Sequence, residues 1–98
     1  MFHHTVMVNF IAVDAEFLQA VEGCAERIRG AQDGLIEFGF HHNDSSRAGA
    51  FRHAFVSRFH DSSAHDRFQT SALHDELKQL IMPRVAGLVV LDHQDQVS

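Results

Sequence analysis

The sequence has no tyrosine, one cysteine and one proline. Without tyrosine, no phenolic hydroxyl can act as an acid or a hydrogen-bond donor anywhere in the chain. A lone cysteine, Cys24, rules out an internal disulfide and fits a reducing compartment. Basic residues are also scarce: eight Lys and Arg stand against thirteen Asp and Glu, a formal net charge of -5 with histidine counted neutral. That balance has the wrong sign for a phosphate backbone, which calls for clustered Lys and Arg. No apolar run approaches the ~20 residues of a membrane-spanning helix. No basic segment followed by a long apolar stretch opens the chain, so no signal peptide is expected. The expected location is the cytoplasm, with neither nucleic acid nor membrane as a partner.

Against these scarcities stand nine histidines and a hydrophobic content of 45% in 98 residues. The length suits a single domain over residues 1–98. A chain this short buries only about two-thirds of its unfolded surface, so a partner subunit would add useful burial. Histidines mostly sit at protein surfaces. The candidates for chemistry are those that pattern onto an apolar face.

Residues His3 to Ile11 alternate as a strand does, with His4, Val6, Val8 and Phe10 on one face. Asp14 can cap a helix whose apolar stripe is Phe17, Val21, Cys24, Ala25 and Ile28, and Gly30 is a candidate stop. Leu35 to His42 reads as a second strand, Asn43 to Gly49 as turn chemistry, and Ala50 to His60 as a third strand. Asp61 caps a helix through Phe68, which Gln69, Thr70 and Ser71 weaken. A further helix carries His74, Leu77, Leu80 and Ile81 on one side, and Pro83 forbids its continuation. Val85 to Leu91 makes the last strand, and the polar tail from Asp92 is expected to fray.

The order is β-α-β-β-α-β, which predicts an α+β fold: a four-stranded antiparallel sheet with both helices on one face. The other face would carry Met7, Ile11, Ala54, Val56, Val89 and Leu91, mixed with Arg52 and Arg58. A face that apolar is expected to pack against a second sheet, which makes a homodimeric α+β barrel.

By strand parity His4 and His53 both face the helices, and His74 opens the helix above them. Three imidazoles can thus converge at one end of an apolar cavity. Imidazole titrates near neutral pH, which suits a general base. The alternative is a set of core histidines bonded to backbone and to each other. The wall of the cavity is expected from Val6, Val8, Phe38, Phe55, Phe68 and Leu77. No metal site is expected: there is no HExxH and no Cys pair, and His53 and His60, seven apart, point to opposite faces of a strand. Cys24 lies on an apolar stripe and reads as a buried small side chain, not a nucleophile. RNA-recognition modules share this element order, but they read RNA with third-strand aromatics after a basic-Gly pair; here Phe51 and Arg52 stand at that pair and Arg58 at the final aromatic.

The opening HHTVMVNF, the Gly34-Leu35-Ile36 run into an aromatic strand, the His53-containing third strand and His74 before the last helix appear in an order that resembles the stress-responsive A/B barrel family. The resemblance covers about Phe2 to Asp92. It implies a ferredoxin-like fold, a homodimer, and a pocket between each subunit's sheet and helices, with His4, His53 and His74 at the family's histidine positions. Some plant members cyclise polyketides by an aldol reaction without metal or cofactor, and there the last His of a His-Pro-x-His signature is the presumed base. That signature reads Ser71-Ala72-Leu73-His74 here, so its first His and its Pro are missing. The cooperating Tyr falls at Phe68, while Phe38 and Phe55 fall on the cavity wall. The expected function is therefore binding of a small apolar or aromatic molecule, with no cofactor. An enzyme resembling the cyclases or the monooxygenases of related barrels, with His74 as base, is the alternative. A stress-induced protein with a pocket filled by Phe side chains is the third possibility.

Overall fold

The computed structural model describes residues 1–95. Its elements in chain order are β1 (Phe2–Phe10), α1 (Ala15–Ala31), β2 (Leu35–His42), β3 (His53–Phe59), α2 (Ser62–Gln69), α3 (Ala72–Ile81), a 3-10 turn (Met82–Arg84) and β4 (Val85–Gln94). The four strands form one antiparallel sheet in the order β2-β3-β1-β4. This is the expected β-α-β-β-α-β plan with its second helical position split in two.

The helix starts follow the side-chain caps. Asp14 accepts from the Phe17 amide, Asp61 from the Ala64 amide and Ser71 from the His74 amide. Ser71 both ends one helix and starts the next: its hydroxyl also donates to the Phe68 carbonyl. Pro83 sits at the start of the 3-10 turn, where its missing N–H is not needed.

The core is the layer between sheet and helices. Phe17, Val21, Cys24, Ala25 and Ile28 of α1 are buried, as are Phe38, Phe55 and Phe59 of the sheet and Phe68, Leu77 and Ile81 of the later helices. β3 alternates strictly, with His53, Phe55, Ser57 and Phe59 buried and the residues between them partly exposed.

Three expected boundaries move. Gly30 lies inside α1, and the chain turns instead at Gly34. Its φ is +78°, and a Cβ there would stand 2.7 Å from the Ala64 Cβ, so only glycine fits the close pass against α2. β3 begins at His53 and not Ala50, because the Asn43 amide and side chain already bond the Arg52 and Phe51 carbonyls and close a loop there. The third correction concerns Asp92. It does not fray: β4 pairs with β1 through Phe2–Gln94, and the Asp95 amide donates to the Met1 carbonyl. The rest of the polar tail, residues 96–98, lies outside the described residues.

The helices sit over β1, β2 and β3 and leave β4, an edge strand, largely uncovered. On the opposite face of the sheet Val89 and Leu91 are more than half exposed beside Met7, Ala54 and Val56. Arg58 shares that face, but its charge is balanced by Glu37 across the β2–β3 pair, at 3.0 Å. Among the described residues no helix is long and apolar enough to cross a membrane.

Candidate functional site

A cavity of about 320 Å³ lies between the sheet and the later helices. Its sheet wall is His4 and Val6 from β1, Phe38 from β2, Phe55 from β3, and Leu88 and Val90 from β4; its helix wall is Phe68, Gln69, His74, Leu77, Lys78 and Ile81, followed by Met82. Leu88 and Val90 are 43% and 48% exposed, so the space opens towards solvent along the β4 edge. The lining is apolar except for His4, Gln69, His74 and Lys78.

Of the three histidines expected to converge, two do. His4 and His74 both line the cavity. His53 is buried but stands apart, because it pairs with Val8 while His4 pairs with Ser57. Four residues of strand separate the two pairs, about 13 Å at 3.3 Å per residue. His53 instead packs between Phe10 and Phe40, stacked on Phe40 at 5.5 Å, with His42 edge-on. Burial, and then the neighbouring His42, push its pKa down. Among the expected wall residues, Val6, Phe38, Phe55, Phe68 and Leu77 reach the cavity, while Val8 is sealed in the core. Strand parity gives the face of a side chain but not which helix lies above it.

His74 is half-buried, and its Nδ1 is buried with no hydrogen-bond partner, the one such side-chain atom among the described residues. Burial, followed by the nearby Lys78 charge, holds its pKa below the ordinary imidazole value. Its ring lies edge-on to Phe68. Phe68 carries no hydrogen-bonding group that could pair with the Nδ1.

His4 is anchored. Its Nδ1 donates to Asp92 Oδ1 on the adjacent strand, and its backbone carbonyl accepts from the buried Ser57 hydroxyl at 3.0 Å. Its ring lies 4.5 Å from that of His65, a buried residue of α2 that also packs on Phe2 and Phe59. Gln69 bonds His65 Nε2 at 2.9 Å. Burial, and after it the presence of His4, lower the His65 pKa. Sequence reasoning missed His65 and Asp92. The segment SSAHDRFQ is polar in composition, and only its packing on Phe2, His4 and Phe59 buries the histidine. Leu88 and Val90 were also missed as cavity residues, although their parity with Val6 and Val8 placed them on the right face.

Comparison with known proteins agrees with this frame. The family model for the stress responsive A/B barrel domain matches residues 2–95, and the chain belongs to that family. Among solved structures it resembles a dimeric ferredoxin-like protein of unknown function from a Jannaschia species, at 18% identity and a TM-score of 0.85 over 96% of this chain and 98% of that one. The hydroxynitrile lyase from Passiflora edulis is similar at 18% identity and a TM-score of 0.85, covering 99% of this chain and 94% of that one. A Dabb family protein with a ferredoxin-like fold from Mesorhizobium loti follows at 19% identity and a TM-score of 0.80, over 98% and 97% of the two chains. At such identities the likeness is one of fold. No curated protein matches the chain.

Proposed function

We propose that the protein is a cytoplasmic homodimer whose sheet–helix cavity binds a small, mainly apolar or aromatic molecule. The observation that carries this reading is the His74 Nδ1, a buried polar atom without a partner on the wall of an otherwise apolar space. An unpaired buried nitrogen costs about 1–3 kcal/mol, a cost that a ligand hydroxyl, phenol or carboxyl would remove. The volume suits a ligand of this class, because small-molecule sites are concave, chiefly apolar and provided with a few placed polar groups. Lys78 at the cavity lining adds a positive charge for an acidic group on the ligand. The dimer is supported by the exposed apolar outer face and by the dimeric description of the Jannaschia relative. The lone buried Cys24 supports the reducing compartment.

A second reading, an enzyme of the cyclase-like or monooxygenase-like kind, draws on the same residue. A histidine held neutral at pH 7 by burial has a nitrogen free to take a proton, which is what a general base requires. Asp92 would then fix the ring of His4 on the facing wall. The Passiflora edulis relative is described as a hydroxynitrile lyase, and this supports an enzymatic use of the fold without naming a substrate for this chain.

A thermal-shift screen against aromatic and polyketide-like acids tests binding. Ligands that bind only the folded state raise the melting temperature with concentration. At least one should do so for wild type and fail to do so for His74→Leu. A screen with no stabilising compound, or hits that survive His74→Leu unchanged, would overturn the assignment.

A further inference from the structure

We propose that His4, His65 and Asp92 form a binding site for a first-row divalent transition-metal ion of the zinc type. One ligand atom from each of the three lies within 4.8 Å of the other two. They come from β1, α2 and β4, so no spacing within a single element announces them and only the fold brings them together.

Two imidazoles and one carboxylate are a donor set that suits zinc and its neighbours in the series. In a tetrahedral site with bonds of 2.0–2.2 Å, ligand atoms stand about 3.3 Å apart. No pair of the three atoms therefore needs to close by more than about 1.5 Å from the 4.8 Å bound, which side-chain rotation supplies, and the ion takes the place of the proton that His4 shares with Asp92. His4 is tied by its backbone to Ser57 and His65 is held by Gln69, so two of the ligands are positioned beforehand. Asp92 is exposed on the edge strand and gives an ion a route in from solvent. Three protein ligands leave a fourth position for water or another donor.

A second group with the same donor types, His3, His93 and Asp95, lies at the same end of the sheet on the other face. Ring geometry separates the two. His3 and His93 stack with planes only 3° apart and centroids 4.5 Å apart, so their in-plane lone pairs lie in separate parallel planes and do not meet at one ion. The His4 and His65 rings are tilted by 47°, which lets their lone pairs meet. His93 and Asp95 are also exposed, while His4 and His65 are buried.

The test uses the full chain, stripped with a chelator, and the metal alone. Calorimetric titration with Zn²⁺ and absorption with Co²⁺ should show one saturable equivalent per chain, with a rise in melting temperature. Asp92→Asn should weaken binding by at least about tenfold, and His65→Gln likewise, while His93→Gln leaves it unchanged. Asp92→Asn carries the test if His65→Gln fails to fold, because Asp92 is exposed. In wild type, Zn²⁺ should move the imidazole NMR signals of His4 and His65 before those of the other seven histidines. The absence of a stoichiometric site, binding that survives Asp92→Asn, or loss on His93→Gln would each overturn the proposal. Asp92, His65 and His93 do not line the cavity, so their variants test the ion separately from any ligand held there.

Discussion

His74 meets Phe68 edge-on, with ring centroids 5.0 Å apart and planes at 77°. The contact joins the end of α2 to the start of α3 across the Ser71 break. A phenyl ring offers no hydrogen-bonding group, so this neighbour cannot pair with the buried His74 Nδ1. A group kept for function is often poorly suited to stability. His74→Leu is therefore expected to leave the unfolding free energy within about 1 kcal/mol of wild type, or to raise it, because it removes an unsatisfied buried nitrogen. Chemical denaturation measures this. A loss above about 2 kcal/mol would mark His74 as a paired core residue.

Restoring a hydroxyl at Phe68 tests the same contact from the other side. Phe68 is fully packed, so an added oxygen is costly unless it finds a partner. Phe68→Tyr should cost less than about 1 kcal/mol in wild type, because the His74 Nδ1 can accept the phenol proton, and about 1–3 kcal/mol in the His74→Leu background. The double-mutant cycle reads the coupling directly. Equal costs in both backgrounds would show that the two groups do not meet.

Leu77 fixes the phase of α3. It is buried between that helix and the sheet and borders the cavity. Leu77→Ala should destabilise by roughly 2–5 kcal/mol, since the neighbouring cavity leaves little that can collapse into the hole. A change below about 0.5 kcal/mol would contradict the packing of α3 on the core.

The sheet was legible from its period-two patterning, because burial on one face leaves that mark on every strand. In β3 it gave His53, Phe55, Ser57 and Phe59 the same face, as observed. The first two helices were legible from the caps Asp14 and Asp61, and the third from the spacing of His74, Leu77, Leu80 and Ile81 and its stop at Pro83; Ser71, read only as weakening the helix before it, proves to cap the helix after it. The site was half legible. Parity placed His4 and His53 on the helix side, but register against β1 and the position of α3 decide which residues share a space, and they set His4 on the same cavity as His74 and His53 beside Phe40. His65 and Asp92 carry no local signal. One is buried by contacts with distant residues, and the other is held in a strand only because β1 extends to Phe2 beside it.

The outer face yields an assembly prediction. Val89 and Leu91 on β4, with Met7 and Val56 on the neighbouring strands, form an apolar surface that a two-fold partner would cover. Light scattering at micromolar concentration should give about 22 kDa, twice the chain mass of 11.0 kDa. Leu91→Asp should halve that mass while preserving the far-UV spectrum, because a charge on this face is unpaired only when the second copy covers it. A wild-type monomer would contradict the barrel.

Acid sensitivity follows from three histidines. Burial lowers the pKa of His53, His65 and His74 in the folded chain. The unfolded chain keeps the ordinary value of about 6.5. Between the two values the unfolded state binds more protons, so stability falls as pH drops through about 6.5 towards the folded pKa and levels off below it. Denaturation midpoints should therefore fall between pH 7.5 and 5.5, with the slope against denaturant unchanged. His53 isolates one contribution: it lies away from the cavity, and besides burial the only other group lowering its pKa is the exposed His42. His53→Gln removes a proton that the folded core resists, so the midpoint of the variant should fall less steeply with acidification than that of wild type, whatever its own starting stability. Parallel slopes for the two proteins would mean that His53 titrates alike in folded and unfolded chains and that its ring is not held in the core between Phe10 and Phe40.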